Sequence, residues 1–175
     1  SLPVEDALHA RIVLEARLGQ YFKFELNDSP VALPVAGYDE RREQYAAEAF
    51  LPEADNLRIA GGYFSSLLFT DADIFARSTN YVFGLADIAH RVAVISSCRI
   101  HPSFWRARET REFFEEQWGK VVTHEFGHTL GLLHCGDWGC VMKYSNSPLE
   151  LYRKGKDFCA KCRKDVEQIS KELAR

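Results

Sequence analysis

The sequence predicts an α/β (α+β) fold in which helices pack on a mixed sheet and a small cysteine-rich lobe follows near the C-terminal end. Helix-like and strand-like patterns alternate over the first two-thirds of the 175 residues, whereas the last third has few strand patterns. Four of the five cysteines lie in that last third. Because the chain contains no internal repeat or linker, we predict a single domain over residues 1–175.

Local patterns predict the elements in chain order. Apolar residues at helical spacing indicate a helix over 8–18, which Gly19 ends as a C-terminal cap. A second helix is predicted over 39–54. Alternating or β-branched runs predict four strands, over 21–26, 66–70, 81–86 and 92–97. From Ser103 onward the pattern is helical, and one apolar stripe recurs at every fourth position: Phe114, Trp118, Val122, Phe126 and Leu130.

Composition and charge exclude several kinds of partner. The 22 Lys and Arg residues against 25 Asp and Glu residues give a net charge of −3, without the broad positive field of a nucleic-acid-binding protein. No apolar run is long enough to cross a bilayer, and residues 1–6 do not resemble a signal peptide. We therefore expect a cytoplasmic monomer that binds neither nucleic acid nor membrane.

The strongest pattern in the sequence is the segment 124–134, which has histidines and a glutamate at fixed spacing. On a helix, residues four apart differ by about 40° in direction, so His124 and His128 face the same way on adjacent turns. Their ring nitrogens can then reach one zinc ion at about 2.0–2.1 Å. Glu125 is rotated by about 100° from His124, which sets it beside the ion as a general base requires.

A third ligand requires this helix to end. Gly131 can adopt a positive φ without steric cost, so we predict a left-handed conformation that turns the chain back at this residue. His134 can then complete the ligand set. A chance His-Glu-x-x-His on a polar helix face is the alternative interpretation, but the longer pattern with Gly131 and His134 is far harder to reach by accident.

These groups predict hydrolysis of peptide bonds. Three neutral histidines leave zinc one open position, which is typical of catalytic rather than structural sites. A water bound there has a pKa of about 7, and Glu125 would accept its proton and pass it to the leaving amine. The other histidines, His9, His90 and His101, lack this spacing, so we interpret them as surface or satisfied core residues.

Four cysteines follow the histidine segment: Cys135, Cys140, Cys159 and Cys162. Four thiolates at about 2.3 Å around one tetrahedral zinc would form a closed structural site. Two disulfides are the alternative, but thiols stay reduced in a protein that is not exported. Because Cys135 follows His134 directly, this zinc would brace the loop that carries the third catalytic ligand. The sequence thus predicts a catalytic and a structural zinc, and Cys98 is left as a small buried side chain.

The run from His124 through Cys135 and Cys140 to Cys162 resembles the archaemetzincins, a family of metzincin zinc peptidases. A long zinc motif followed at once by cysteine, and then by the remaining thiols, is the hallmark of that family. Weaker similarity is found at four other places, 41–45, 70–73, 82–86 and 145–147. The resemblance therefore covers most of the chain from the region of Tyr38 onward.

This resemblance implies a metzincin-like fold. A mixed twisted sheet, a backing helix and an active-site helix would form an upper subdomain over 1–131. A lower subdomain over 132–175 would hold the structural zinc, a methionine turn and a C-terminal helix. Met142, the only methionine, would form an apolar floor below the histidines. Tyr144, where many relatives carry phenylalanine, would reach the metal or the oxyanion. An antiparallel edge strand, for which 92–97 is the candidate, would pair with the substrate backbone.

Three points stay open at the level of sequence. The family opens with a strand before the backing helix, and residues 1–4 supply only a stub of one. The enzyme is either an endopeptidase or an aminopeptidase, which would need an acidic anchor for the substrate α-amine near the zinc. The alternative from another class is a non-catalytic or self-occluded zinc module that binds protein partners. Glu125 argues against that alternative, because a purely structural site has no use for a carboxylate beside an open zinc position.

Overall fold

The computed structural model describes residues 4–77, 79–105 and 110–174. The helices are α1 (Val4–Leu18), α2 (Leu51–Gly61), α3 (Arg111–Thr129), α4 (Pro148–Arg153) and α5 (Ala160–Leu173). The strands are β1 (Tyr38–Asp39), β2 (Gln44–Ala46), β3 (Ser66–Thr70), β4 (Ile74–Phe75), β5 (Gly84–Asp87) and β6 (Val92–Ser96). Short 3-10 turns span Val35–Gly37, Ala47–Phe50 and Pro102–Trp105. The predicted mixed α/β architecture is confirmed.

The sheet that supports the site has the strand order β3-β6-β5. β6 pairs in parallel with β3 and antiparallel with β5. Every residue of β6 is buried. Val92 and Val94 pack towards α2 and the turn before it, whereas Ile95 joins the core around α3. A strand that is covered on both faces has a nearly continuous run of apolar residues in its sequence, and β6 follows this pattern.

Helix α3 lies between α1 and this sheet. Thr110 caps its N-terminus by accepting a hydrogen bond from the Phe113 amide. The predicted apolar stripe is buried along its whole length. The fully buried Trp118 donates its indole N–H to the Asp6 carbonyl of α1 at 2.8 Å. Full burial of a side chain such as Phe114 stabilises the fold by about 1.5–3 kcal/mol, so this packing fixes the helix that carries the site.

The strand predicted over 21–26 is wrong, because this segment forms no strand. Phe22 and Phe24 pack edge-on against Phe126 of α3, with ring centroids 5.5 and 5.3 Å from it. The alternation of apolar residues therefore reflects contact with a helix and not pairing with another strand.

The N-terminal helix predicted over 8–18 is confirmed within α1, and the Gly19 amide bonds to the Glu15 carbonyl at its end. Residues 1–3, which belong to the suggested opening strand, lie outside the described residues, and Val4 already begins α1. Residues 106–109, within the helical pattern predicted from Ser103, also lie outside them.

The helix predicted over 39–54 is wrong. The segment begins instead with the antiparallel pair β1–β2, and the Asp39 carboxylate accepts the amides of Arg41 and Arg42 in the turn between them. β2 then pairs with β4 in a second, smaller sheet. Helix α2 begins only at Leu51, because Pro52 has no amide hydrogen and fits only the first turn of a helix.

The strands predicted over 66–70 and 92–97 are confirmed, and the one predicted over 81–86 is observed three residues later, as β5. The assignment of 92–97 as the antiparallel edge strand is wrong. β6 is the central strand, and the antiparallel strand at the edge of this sheet is β5. All four β5 residues are only half-buried, which gives an edge strand a weaker apolar signal than a central one.

After α3 the chain forms turns, one parallel bridge between Cys135 and Lys143, and the helices α4 and α5. The predicted C-terminal helix is α5. No helix in the described ranges is long and apolar enough to cross a membrane. The single-domain interpretation and the division at residue 131 stay predictions.

Candidate metal centres and catalytic cleft

Helix α3 presents two histidines on adjacent turns of one face. The Nε2 atoms of His124 and His128 are 3.1 Å apart. His124 is buried and His128 is half-buried, so both rings are held by the surrounding fold. The helical spacing therefore brings the two Nε2 atoms close together, as the sequence predicts.

Helix α3 ends in a Schellman turn at Gly131. The Leu132 amide bonds to the Gly127 carbonyl, and the Gly131 amide bonds to the His128 carbonyl. Gly131 has a φ of +95°, so the predicted left-handed conformation is confirmed. The turn brings the Nε2 atom of His134 to 3.2 Å from that of His128.

The outer nitrogens of two of these rings are engaged by backbone carbonyls. His124 Nδ1 lies 2.8 Å from the Val141 oxygen, and His128 Nδ1 lies 2.7 Å from the Leu132 oxygen. An Nδ1–H that donates to a carbonyl leaves the Nε2 lone pair free for a metal. Burial lowers the pKa of His124 well below its usual value and also lowers the pKa values of His128 and His134. All three rings are thus neutral near pH 7, which is the form that binds metal.

The spacing of the histidine nitrogens fits one zinc ion. Two nitrogens at about 2.0–2.1 Å from a tetrahedral zinc are separated by about 3.3 Å. The observed separations are 3.1 and 3.2 Å. The donor set is three imidazoles without a fourth protein ligand among the described residues. Such a set holds zinc and leaves one position open for water or substrate.

Glu125 lies beside the histidines and against strand β5. Its side chain is buried, and a Cβ atom on Gly84 would come within 2.8 Å of its Oε1 atom. Only a glycine at this place in β5 lets the strand approach the carboxylate so closely. Burial raises the pKa of Glu125 to about 8, although attraction to the nearby Lys154 ammonium opposes the shift.

Met142 lies beside α3 in a turn that the Lys143 amide closes on the Cys140 carbonyl. Its side chain is fully buried. A Cβ atom on Gly127 would overlap the Met142 sulfur, so the thioether packs directly against α3 between the two helical histidines. The Cys135 amide, next to His134, also donates a hydrogen bond to the Met142 carbonyl, at 2.9 Å.

The histidines open into a cleft of about 590 Å³ that also contains Tyr144. The Tyr144 ring packs edge-on against His134 with centroids 4.9 Å apart, and 47% of the residue is exposed. One wall of the cleft is formed by β5, through Gly84, Leu85 and Ala86. The base holds His124 and Glu125 of α3.

The four C-terminal cysteines form a second group, whose sulfur atoms all lie within 4.8 Å of one another. The Sγ atoms of Cys135 and Cys159 are 3.9 Å apart. Two thiolates at about 2.3 Å from a tetrahedral zinc are about 3.8 Å apart, whereas a disulfide is about 2.05 Å long. All five cysteines are free. The cluster therefore fits one metal ion better than two disulfides.

Cys159 occupies the N-cap position of α5. A hydrogen bond from the Cys162 amide lowers the pKa of Cys159 to about 7. Thiolate, the form that binds zinc, is thus favoured at this position before any metal is present. Cys98 lies apart from the cluster, and burial raises the pKa of its thiol to about 11.

The other histidines take no part in the cluster. His9 lies 3.9 Å from a Glu115 oxygen, and His90 pairs with Asp87 at 2.7 Å on the surface. His101 stacks on the Phe114 ring with centroids 4.0 Å apart.

Two residues of the site were not recognised from the sequence. Gly84 is a glycine inside a strand, and that pattern is a general signal of close backbone approach. Lys154 lies in a basic run that resembles an exposed surface, but it is 3% exposed and lines the cleft. No local pattern identifies such a lysine, because its burial depends on packing between distant parts of the chain.

Residues 38–168 match the model of peptidase family M54. The chain belongs to this family. The archaemetzincin of Halobacterium salinarum, 38% identical over 137 residues, covers 77% of the chain and 78% of its own length. The resemblance of the sequence to the archaemetzincins is therefore confirmed.

Two solved structures share the fold of this family M54 member. The archaemetzincin of Methanopyrus kandleri superposes with a TM-score of 0.81 at 32% identity, over 98% of this chain and 88% of that one. A zinc-dependent peptidase of Methanocorpusculum labreanum gives 0.82 at 27% identity, over 94% and 95%. The chain is accordingly a zinc metallopeptidase whose substrates are peptides or proteins.

Proposed function

We propose that this chain hydrolyses peptide bonds with one catalytic zinc held by His124, His128 and His134, and with Glu125 as the general base. The observation that carries the proposal is the convergence of three neutral imidazoles in a cleft that Glu125 also lines. A zinc ion in such a site supplies a readily deprotonated water and a positive charge for the developing oxyanion.

Glu125 performs the proton transfers. Its carboxylate accepts a proton from the attacking water as the new C–O bond forms, and it delivers that proton to the amine as the C–N bond breaks. The raised pKa of Glu125 supports this role, because a group that titrates near neutral pH both accepts and releases protons readily. Gly84 keeps the carboxylate in place by leaving room for it beside β5.

The substrate backbone is proposed to lie along β5. Among the described residues β5 pairs with one strand, β6, and Gly84, Leu85 and Ala86 line the cleft. An extended peptide that adds to this edge would satisfy its free backbone groups and pass over the zinc site. Tyr144 is proposed to donate its hydroxyl to the oxyanion, and Met142 to support the histidines from below.

A second zinc is proposed at the cysteine cluster. Four thiolates saturate the coordination of zinc and neutralise its charge, so this ion would be structural. The Cys135 amide bonds to Met142, and Cys135 follows His134 directly, so the second zinc would hold the third catalytic ligand in position. The monomeric state and the cytoplasmic location stay predictions.

An endopeptidase fits the cleft better than an aminopeptidase does. An aminopeptidase needs an acidic side chain that binds the substrate α-amine. Of the described residues that line the cleft, Glu125 is the one with a carboxylate, and the proton transfers already require it. The cleft is also reachable, because His134, which lines it, is exposed. That exposure argues against the alternative of a self-occluded binding module.

The proposal is tested with zinc-loaded protein and a mixture of peptides, whose products are mapped by mass spectrometry. Glu125→Ala should lower kcat/KM by at least about 100-fold without loss of zinc, because general-base catalysis contributes about 10²–10⁴-fold. Glu116→Ala, which removes an exposed glutamate of the same helix, is the matched control and should keep wild-type activity.

Two outcomes would contradict parts of this proposal. Hydrolysis that survives in Glu125→Ala would remove the general-base role. Wild-type protein that holds zinc but cuts no peptide would favour the binding module instead. Comparing free with N-acetylated peptides separates the two peptidase classes, since an endopeptidase accepts both.

A further inference from the structure

Lys154 is a buried cation that faces the catalytic cleft. It follows α4 and is 3% exposed, yet its side chain lines the cleft together with His124 and Glu125. A buried ammonium is costly unless it is paired, so a lysine in this position calls for a partner.

Hydrogen bonds within the chain do not satisfy this ammonium, although the nearby Glu125 carboxylate attracts it. Lys154 Nζ donates to the Lys143 carbonyl at 3.2 Å. It also lies 3.4 Å from His124 Nδ1, but that nitrogen already donates to the Val141 carbonyl and offers no lone pair. An ammonium has three donors. Among the described residues, the Lys143 oxygen is the one oxygen acceptor bonded to it, which leaves donors for a ligand in the cleft.

The backbone around Lys154 is built to hold it there. The Lys154 amide caps α4 on the Glu150 carbonyl at 3.1 Å, and the Gly155 amide bonds to the Trp138 carbonyl at 2.8 Å. A Cβ atom on Gly155 would overlap the Gly139 carbonyl oxygen, so the two backbone segments are in direct contact. The backbone from which the Lys154 side chain extends is therefore held on both sides.

Lys120 shows what a satisfied buried lysine looks like in this fold. It is 2% exposed, and its Nζ lies 2.9 Å from the Tyr152 carbonyl, 3.3 Å from the Gln117 amide oxygen and 3.1 Å from a Glu116 carboxylate oxygen. It does not line the cleft. The two buried lysines thus differ in what they bind: Lys120 is paired within the chain, and Lys154 is left open to the cleft.

The charge of the cleft indicates which kind of ligand would pair with the Lys154 ammonium. Apart from the histidines, which would hold the zinc, the charged side chains among the described residues that line the cleft are Lys154 and Glu125. With Glu125 engaged in proton transfer, the remaining field is positive. A carboxylate complements it, whereas a second cation is repelled. Ser145 and Asn146, which line the same cleft, add polar groups for such a ligand.

We infer that Lys154 selects substrates by binding a carboxylate, either an Asp or Glu side chain close to the scissile bond or the C-terminal carboxylate of a short peptide. The inference rests on the proposed function, because it names the substrates of that same site. Lys154 acts here as a specificity residue that touches the substrate and not as a ligand of the metal.

The test starts from a peptide that the zinc-loaded protein cuts at a mapped bond. One arm places Asp or Glu, and then the matching Asn or Gln, at each position that flanks this bond. The other arm compares C-terminal acids with C-terminal amides. In one arm kcat/KM should be at least about tenfold higher for the carboxylate peptide, as expected for a partly buried ion pair.

Three variants identify Lys154 as the source of that preference. Lys154→Met should bring the ratio of carboxylate to amide kcat/KM close to one, and Lys154→Arg should keep it above one. Lys120→Met, the matched control, should keep the wild-type ratio even if the protein is less stable. The ratio is informative because a general defect lowers kcat/KM for both peptides alike.

The inference fails if the wild-type ratio is close to one in both arms, and this result stands even if Lys154→Met does not fold. It also fails if Lys154→Met folds and keeps the preference. If the wild-type protein cuts no peptide, the proposed function fails instead. Calorimetry on the zinc-loaded wild-type protein then decides the inference, with one peptide as its C-terminal acid and amide and in its Asp and Asn versions: tighter binding of a carboxylate form supports it, and equal binding in both comparisons overturns it.

Discussion

At the scale of a residue, Gly84 determines where the catalytic carboxylate sits. A Cβ atom on Gly84 would come within 2.6–2.8 Å of the Glu125 side chain. We predict that Gly84→Ala displaces the carboxylate and lowers kcat by about tenfold or more, while the zinc content stays unchanged. Gly136→Ala, where a Cβ atom meets nothing within 4 Å, is the control. Equal kcat values for the two variants would show that β5 yields to the added methyl group.

The buried carboxylate also makes the metal-free protein sensitive to pH. The pKa of Glu125 is raised from 4.5 to about 8, so the folded protein keeps a proton that the unfolded chain has released between these values. The free energy of unfolding should therefore fall as the pH rises through this window. Glu125→Gln does not titrate, so we expect it to be more stable than the wild type at pH 8, by at least about 1.4 kcal/mol, which corresponds to one pKa unit.

Urea unfolding of both metal-free proteins at about pH 5 and about pH 8 measures this difference. The histidines titrate in both proteins, so their contribution cancels when the two are compared. Parallel pH profiles would show that Glu125 ionises in the folded state as it does in water. A gain in stability from this substitution would show that the catalytic carboxylate destabilises the folded protein, as is expected where function and stability conflict.

At the scale of elements, prediction succeeded where the local pattern determined the structure. β3 and β6 could be recognised because short β-branched runs suit strands, and the stripe of α3 because one face of a long helix is buried. The strand predicted over 21–26 was wrong because a tertiary contact determines the structure of this segment, whereas the helix predicted over 39–54 was wrong because a local signal, a proline near a helix start, was not used. Phe22 packs on α3 instead of on a strand, and Pro52 delays the helix.

The end of α3 is the element boundary on which the catalytic site depends. Gly131 has a φ of +95°, which costs a non-glycine residue about 1–3 kcal/mol. We predict that Gly131→Ala shifts His134 and weakens binding of the catalytic zinc by about tenfold, or about 1.4 kcal/mol. Gly131→Asn should have a smaller effect, because asparagine tolerates the left-handed region. Competition with a zinc-binding dye measures both affinities, and unchanged affinity in both variants would contradict this account.

At the scale of the whole molecule, the two metal groups could be anticipated because their residues lie in one continuous stretch, 124–162. Spacing along a helix and a turn determined which atoms meet. Gly84 and Lys154 could not be anticipated, because they reach the site only when β5 and the segment after α4 pack beside α3. The metal ligands can therefore be predicted from the sequence. The residues that orient the substrate and the general base can be identified only once the fold is known.

The same arrangement predicts that the two metals leave the molecule in a fixed order. The histidine group has an exposed member and an open coordination position, whereas the four thiolates would enclose their ion. We expect two zinc ions per chain under reducing conditions, one for each group. Mild chelation should remove one of them together with peptide hydrolysis, while the second stays bound and the thiols stay unreactive.

Metal analysis, thiol titration and activity assays on the same samples follow this sequence of events. Cys162→Ser should lose the tightly held zinc and destabilise the C-terminal lobe, because the segments that carry the four thiols would lose the ion that joins them. Because Cys135 follows His134 and bonds to Met142, the same variant should also bind the catalytic zinc more weakly. By thermodynamic linkage, removal of the catalytic zinc must then weaken the cysteine site by an equal factor. Simultaneous loss of both ions in the wild-type protein would show that the cysteine site is not the more stable one.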